Sequence, residues 1–388
     1  MKGLWPFVFY ISLFAAIAFL APFLVLYYQN LGFSGAQIGL LTGITPLITL
    51  FGAPLWTNLA DITRRHRLLM SLAILGGAVT IAAFPFFTSF APVLVMALLY
   101  TACSAPVSAF ADSATLFMLA DKKELYGRMR LGGTLGFGAV VTFAGTLVQN
   151  YGLRFAFWGG AVFLLLALVI SQKLIHSPAR ASAAKPGSMR ALLTNRRWNL
   201  FLTAAFAGGL AMASNINYLF SYLKELGMSE SMMGFVLTIG TVAEIPIFFF
   251  GHRLIQRFTS YRLFMLAIIV AGARLVLLAG SSSPIVILSL QLLNGLAFPA
   301  MWLAGVAYAD ENAPVGLGAT AQGMFGAMVF GFGMAVGGFV GGPLLDNLGG
   351  RGLFLAFGLV VLAIVGLVAL IQKYLPAGPA PAPDGLRP

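Results

Sequence analysis

Apolar residues run through the chain in twelve blocks, near residues 4–28, 36–60, 67–87, 92–119, 131–149, 154–174, 198–222, 231–251, 262–280, 284–308, 319–345 and 351–372. Each block of about 20 residues is long enough to cross a hydrocarbon core of roughly 30 Å as a helix. Polar and basic segments separate the blocks. The pattern predicts an all-α integral membrane protein of twelve transmembrane helices. The first block follows Lys2 and contains Ala16-Ile17-Ala18, as a cleaved signal would, but it continues through Pro22 to Tyr28 and is read as helix 1.

Composition narrows the class. Of 388 residues, 60% are hydrophobic and only 9% charged, against about 25% charged in soluble domains. The length would allow two or three soluble domains, and this composition removes them. The net charge of +12 is placed unevenly: 19 of the 23 Lys and Arg lie in the termini and the even-numbered connections, and only Arg154, Lys224 and Arg351 lie in the odd ones. That is the positive-inside asymmetry, which predicts both termini in the cytoplasm of a plasma (inner) membrane protein. The basic charge is thereby assigned to topology and lipid, with no nucleic acid as partner. Cys103 is the single cysteine, so no internal disulfide or thiol metal cluster is expected. Trp5, Tyr27, Tyr28 and Trp198 are expected at the lipid–water interface.

The chain repeats itself. Leu31-Gly32-Phe33-Ser34, followed by Gly39, recurs as Leu226-Gly227-Met228-Ser229, followed by Gly234, at an offset of 195 residues. Gly145, Asn150, Gly152 and Arg154 recur as Gly342, Asn347, Gly349 and Arg351 at an offset of 197. Both copies enter the membrane from the same side, so the expected architecture is two parallel six-helix repeats. The reading places bundles at 1–175 and 198–375, a cytoplasmic linker rich in Ala, Ser, Pro and basic residues at 176–197, and a Pro/Ala tail at 376–388.

Two parallel six-helix repeats resemble the major facilitator superfamily, in which the site lies near the midplane between halves. Span 2 ends in a degenerate form of that superfamily's loop motif, Asp61 followed by Arg64, Arg65 and Arg67, with Thr57 where the motif has Gly. The resemblance implies that these four residues form a gating loop.

Few charges lie inside the spans, where each costs roughly 2.5–3.5 kcal/mol on insertion scales. Asp112 and Arg130 are equidistant from position 121, and Glu244 and Arg274 from position 259, each the middle of a short turn. Residues equidistant from the apex of an antiparallel hairpin sit at one height. Each half is therefore expected to hold an acid level with a base, either as a fastener or as cavity groups that bind solute and carry a proton. Desolvation and a nearby guanidinium act oppositely on a carboxyl, so loading such a cavity can switch its protonation.

Tyr126-Gly127-Arg128-Met129-Arg130, with Gly133, Gly136 and Phe157-Trp158, resembles the superfamily's proton-symporter group that includes lactose and phenylpropionate permeases. Gly240 with Ala243-Glu244 resembles the phenylpropionate branch. The resemblance implies solute-binding roles for Asp112, Arg130 and Phe137. Phe137 replaces a galactoside-stacking Trp, so galactoside specificity does not carry over. The group's proton-relay His and Glu fall on Asn294 and Ala297, which cannot titrate, leaving Glu244 or Asp112 to carry protons.

Asn215, Asn217, Tyr218, Asn294, Gln291 and Gln322 are further polar groups within spans, suited to solute or to interhelical hydrogen bonds. No nucleotide loop, zinc spacing or nucleophile triad is visible, which argues against an enzyme, and no cofactor is expected. The reading is a monomeric secondary transporter that imports a small polar solute, such as a sugar, nucleoside or aromatic acid, with protons by alternating access. Its rivals are a proton antiporter exporting drugs or metabolites and a transporter-shaped receptor or scaffold without flux. Span 5 lacks a proline, unlike the Gly-Pro-rich span of many antiporters.

Overall fold

A computed structural model describes residues 4–120, 122, 125–175, 189–314 and 317–374. The tail at 376–388 and most of the expected linker, 176–188, lie outside the described residues. The linker's last part is helical, in a short segment at Met189–Thr194.

Among the described residues the chain is helical, without strands. Helices α1 (Leu4–Asn30), α2 (Gly35–Thr63), α3 (His66–Phe86), α4 (Phe90–Leu119), α5 (Tyr126–Tyr151) and α6 (Arg154–Ser171) make the first repeat. The second opens with α7 (Arg196–Glu225), α8 (Glu230–Phe258), α9 (Ser260–Ala279) and α10 (Pro284–Glu311). The last apolar stretch, Gly318–Tyr374, has 57 residues, about 85 Å of helix at 1.5 Å per residue. That is too long for one crossing. Its backbone leaves helical geometry at Gly349, φ 64° and ψ −179°, which divides it into α11 (318–348) and α12 (350–374). Eleven continuous apolar stretches thus give twelve spans.

The repeated sequence is a turn and a cap. Gly32 and Gly227 have φ of 76° and 78°, a left-handed conformation that costs glycine little. Two residues later Ser34 and Ser229 cap α2 and α8, their hydroxyls accepting from the amides of Gln37 and Met232. The second echo closes α5 and α11 on Gly152 and Gly349, φ 91° and 64°.

Two seams join the halves, α2 against α11 and α5 against α8. They are related by the same offsets. A Cβ on Gly342 would fall 2.2 Å from the Gly35 carbonyl oxygen, and one on Gly145 2.3 Å from that of Glu230. Glycine is required at both crossings because backbone touches backbone. The Gly35 amide donates to Asp346 Oδ2 at 3.0 Å, and Thr142 and Thr238 share a hydroxyl hydrogen bond of 2.8 Å. Lipid-exposed faces carry large apolar side chains such as Leu72, Val162 and Leu359.

Three irregularities interrupt the helices: a tight turn at Ala21–Phe23 in α1, a break at Ala105–Pro106 in α4, and a π-helical turn at Ala327–Gly333 in α11. Pro22 and Phe330, from the first and third, line the central cavity. Irregular backbone at membrane depth is expected only where protein or a cavity surrounds it.

The expected aromatic belt needs correction. Tyr27, Tyr28 and Trp198 are buried; Tyr27 packs on Phe157 at 4.5 Å between ring centroids, and Trp198 on Phe201 at 5.2 Å. These rings seal helix ends against each other. Trp5 alone of the four is exposed, with Lys173 Nζ 5.9 Å from its ring.

Candidate functional site

Between the seams lies a cavity of about 420 Å³. Its wall is mostly apolar, with Phe14, Phe137, Phe220, Phe298 and Phe330 as its rings, and Arg130, Thr134, Asn215, Thr241, Glu244, Arg274 and Asn294 as its polar members. An apolar enclosure with a few converging polar groups is the usual form of a small-molecule site. Both repeats contribute, so any solute held here touches both halves.

Asp112 and Arg130 meet: Arg130 Nη1 donates to Asp112 Oδ1 at 3.0 Å. Their side chains are 34% and 39% exposed, although both sit within spans. Arg130 lines the cavity, whereas Asp112 does not and touches it only through the guanidinium. Tyr10, which the sequence did not single out, donates to Asp112 Oδ1 at 2.5 Å. The Arg130 guanidinium lies 5.3 Å from the Tyr10 ring and 5.4 Å from the Phe14 ring, a cation–π pair of contacts that fixes its direction. Tyr10 shares its span with Tyr27 and Tyr28, and its partner helix was not readable.

The expected pairing of Glu244 with Arg274 does not occur. Arg274 is 2% exposed and spends its donors elsewhere: Nε on the Leu290 carbonyl at 3.0 Å, Nη2 on Asn215 Oδ1 and Gln291 Oε1, both at 2.9 Å. The reason is lateral, not vertical. α8 and α9 follow each other in sequence, but α10 packs extensively on both and stands between them. At Gly295 it touches α8 so closely that a Cβ would fall 2.3 Å from that of Ala243. Equal depth therefore did not bring the pair together. Among the described residues Arg274 has no carboxylate partner and Glu244 no hydrogen-bond or ionic partner. Both face the cavity.

Phe137, Asn215 and Asn294 also reach the cavity, whereas Asn217 and Tyr218 do not. The Asn217 Nδ2 is buried without a partner. Tyr218 is fully buried; its hydroxyl donates to the Gly338 carbonyl at 2.7 Å and lies 2.9 Å from Thr42 Oγ1. It ties α7 to α11 and α2. Tyr218→Phe is accordingly expected to cost about 1 kcal/mol of stability, seen as a lower unfolding midpoint in detergent. Solute affinity in that variant stays within twofold, and a larger loss would return Tyr218 to the site.

At the basic pole Asp61 Oδ1 lies 2.8 Å from His66 Nε2, Arg64 ends α2 in a left-handed conformation, and Arg67 Nε donates to Gln172 Oε1 at 3.0 Å. Gln322 Nε2 donates to Asp310 Oδ1 at 3.3 Å, also away from the cavity. Among the described residues no three His, Cys, Asp or Glu side chains converge as metal ligands.

The profile of the MFS_1 like family matches residues 5–356. The chain is 28% identical to the maltose permease of Geobacillus stearothermophilus over 95% of its own length and 94% of that protein's. It is 26% identical to the uncharacterized transporter YwbF of Bacillus subtilis (strain 168), over 94% and 92%. Among solved structures the nucleoside transporter NupG superposes with a TM-score of 0.82 at 19% identity, covering 96% of this chain and 100% of that one. That likeness concerns the fold.

Proposed function

The chain belongs to the MFS_1-like family of membrane transporters, and from that premise we propose that it imports a small organic solute together with protons. The observation that carries the reading is Glu244, a carboxyl facing the shared cavity with no partner among the described residues. An isolated carboxylate away from water is costly, and taking up a proton removes the charge. Asp112, by contrast, is already compensated by Arg130 and Tyr10. Glu244 is thus the proton carrier in this reading.

Solute is held by Arg130, Arg274, Asn215 and Asn294 through its oxygens and by Phe137 and Phe298 through its ring or carbon skeleton. Sugars, nucleosides and aromatic acids all have that make-up; the similar maltose permease lends support to the first. The halves at 1–175 and 198–375 rock about the two seams, exposing the cavity to alternate sides.

A thermal-shift screen of the purified protein tests the binding half of this reading. A member of one of the three classes at 100 times its Kd should stabilise the protein by about 2.7 kcal/mol. The shift should disappear when Asn294 is replaced by Leu. A protein stabilised by none of the three classes would contradict the assignment.

A further inference from the structure

A second cavity lies far from the transport site, at the basic pole between α3 and α6. It measures about 1090 Å³, and Arg64, Arg65, Arg67 and Lys173 all line it. Among the described residues no acid lines it, and none of the four cations has a carboxylate partner. Asp61, the acid in the last turn of α2, is held by His66. Four like charges converging on one hollow repel each other until an anion enters. The floor is organised: Gln172 accepts from Arg67 Nε at 3.0 Å and donates to Ser71 Oγ at 2.8 Å, which fixes the direction of the Arg67 guanidinium. α3 also begins in this wall, and its N-cap, Arg65, supplies no side-chain acceptor for the first amides, so the positive helix end adds to the cations.

The walls tell which anion fits. From the cavity mouth an exposed apolar row descends α3 through Leu68, Leu72, Leu75 and Val79. A second row runs along α6 through Val169, Leu166 and Val162. Both faces belong to the lipid-facing surface, and both start at the cationic hollow, which Leu68 and Val169 line. A soluble phosphate would use the hollow and leave both rows idle. An anionic diacyl phospholipid uses all three, with its phosphate among the arginines and one chain along each row.

We propose that this hollow is a specific binding site for the headgroup of an anionic phospholipid. Phosphate is the ligand chemistry, with Arg65 and Arg67 as guanidinium donors and Lys173 as a point charge. The membrane is its source. This site is independent of which solute the central cavity carries.

Native mass spectrometry of the protein in detergent, titrated with dioleoyl phosphatidylglycerol or dioleoyl phosphatidylcholine, tests it. The expected result is one phosphatidylglycerol retained at least tenfold more strongly than phosphatidylcholine. The triple variant Arg65→Gln, Arg67→Gln, Lys173→Gln should lose that preference, and the corresponding Arg/Lys exchange variant Arg65→Lys, Arg67→Lys should keep most of it. Arg253→Gln with Arg257→Gln, in the other repeat, should retain it. The substituted side chains are exposed, and a monodisperse elution profile verifies folding in each case. Equal retention by the triple variant overturns the proposal, as does equal loss in the control, which would mean diffuse attraction. Displacement of the lipid by millimolar inorganic phosphate would overturn its membrane source.

Discussion

Glu244→Gln is expected to abolish proton-driven accumulation of solute while leaving solute exchange largely intact. The substitution keeps the shape of the side chain and removes its ability to titrate. Exchange needs only that the loaded protein change sides, and a permanently neutral group at 244 mimics the protonated state throughout. Net uphill uptake needs the proton to leave on the far side, which Gln cannot allow. Counterflow and accumulation measured on the same vesicles separate the two. Full accumulation by the variant would move the proton to Asp112 or remove coupling. Loss of exchange as well as accumulation would make Glu244 a solute-binding group.

Arg274→Lys is the second large effect. The guanidinium holds α9 to α7 and α10 through three bonds that diverge in space, and one ammonium on a flexible stem cannot reproduce that fork. Losing one such buried bond and leaving its acceptors unpaired costs about 1–3 kcal/mol. The cavity edge of the residue goes with it. An initial transport rate reduced about 30-fold, equivalent to about 2 kcal/mol, is expected, together with a lower unfolding midpoint. Asn215→Ala should show a smaller loss in the same direction, because it removes one of the three acceptors. Wild-type transport by Arg274→Lys would reduce the residue to a replaceable charge.

The membrane architecture was legible because a bilayer imposes length and hydropathy on every span. The parallel repeat was legible because Gly32, Ser34, Gly227 and Ser229 do the same local work twice, and local work leaves a local pattern. Depth within the membrane followed from counting along hairpins, which brought Asp112 and Arg130 to one level and into contact. The same count failed for Glu244 and Arg274, since depth does not say which helices are neighbours and α10 separates α8 from α9. Tyr10 was missed for a related reason: its partner lies 102 residues away, and no periodicity joins α1 to α4. Tyr218 looked like Asn215 in sequence, three residues apart on one helix. Only packing shows that one faces the cavity and the other α11. Aromatic residues at the span ends were ambiguous in the same way, because interfacial rings and pole-sealing rings have the same composition.

The central claim, that solute and proton move together in one direction, is tested most directly by proton flux in reconstituted vesicles. Purified protein is placed in liposomes containing a pH-sensitive dye, with no initial pH difference and the membrane potential clamped by valinomycin and potassium. A solute from the thermal-shift screen is then added outside. The account predicts acidification of the lumen as solute enters down its gradient, and no acidification with Glu244→Gln although solute still exchanges. Solute entry without a pH change, or with alkalinisation of the lumen, would contradict it.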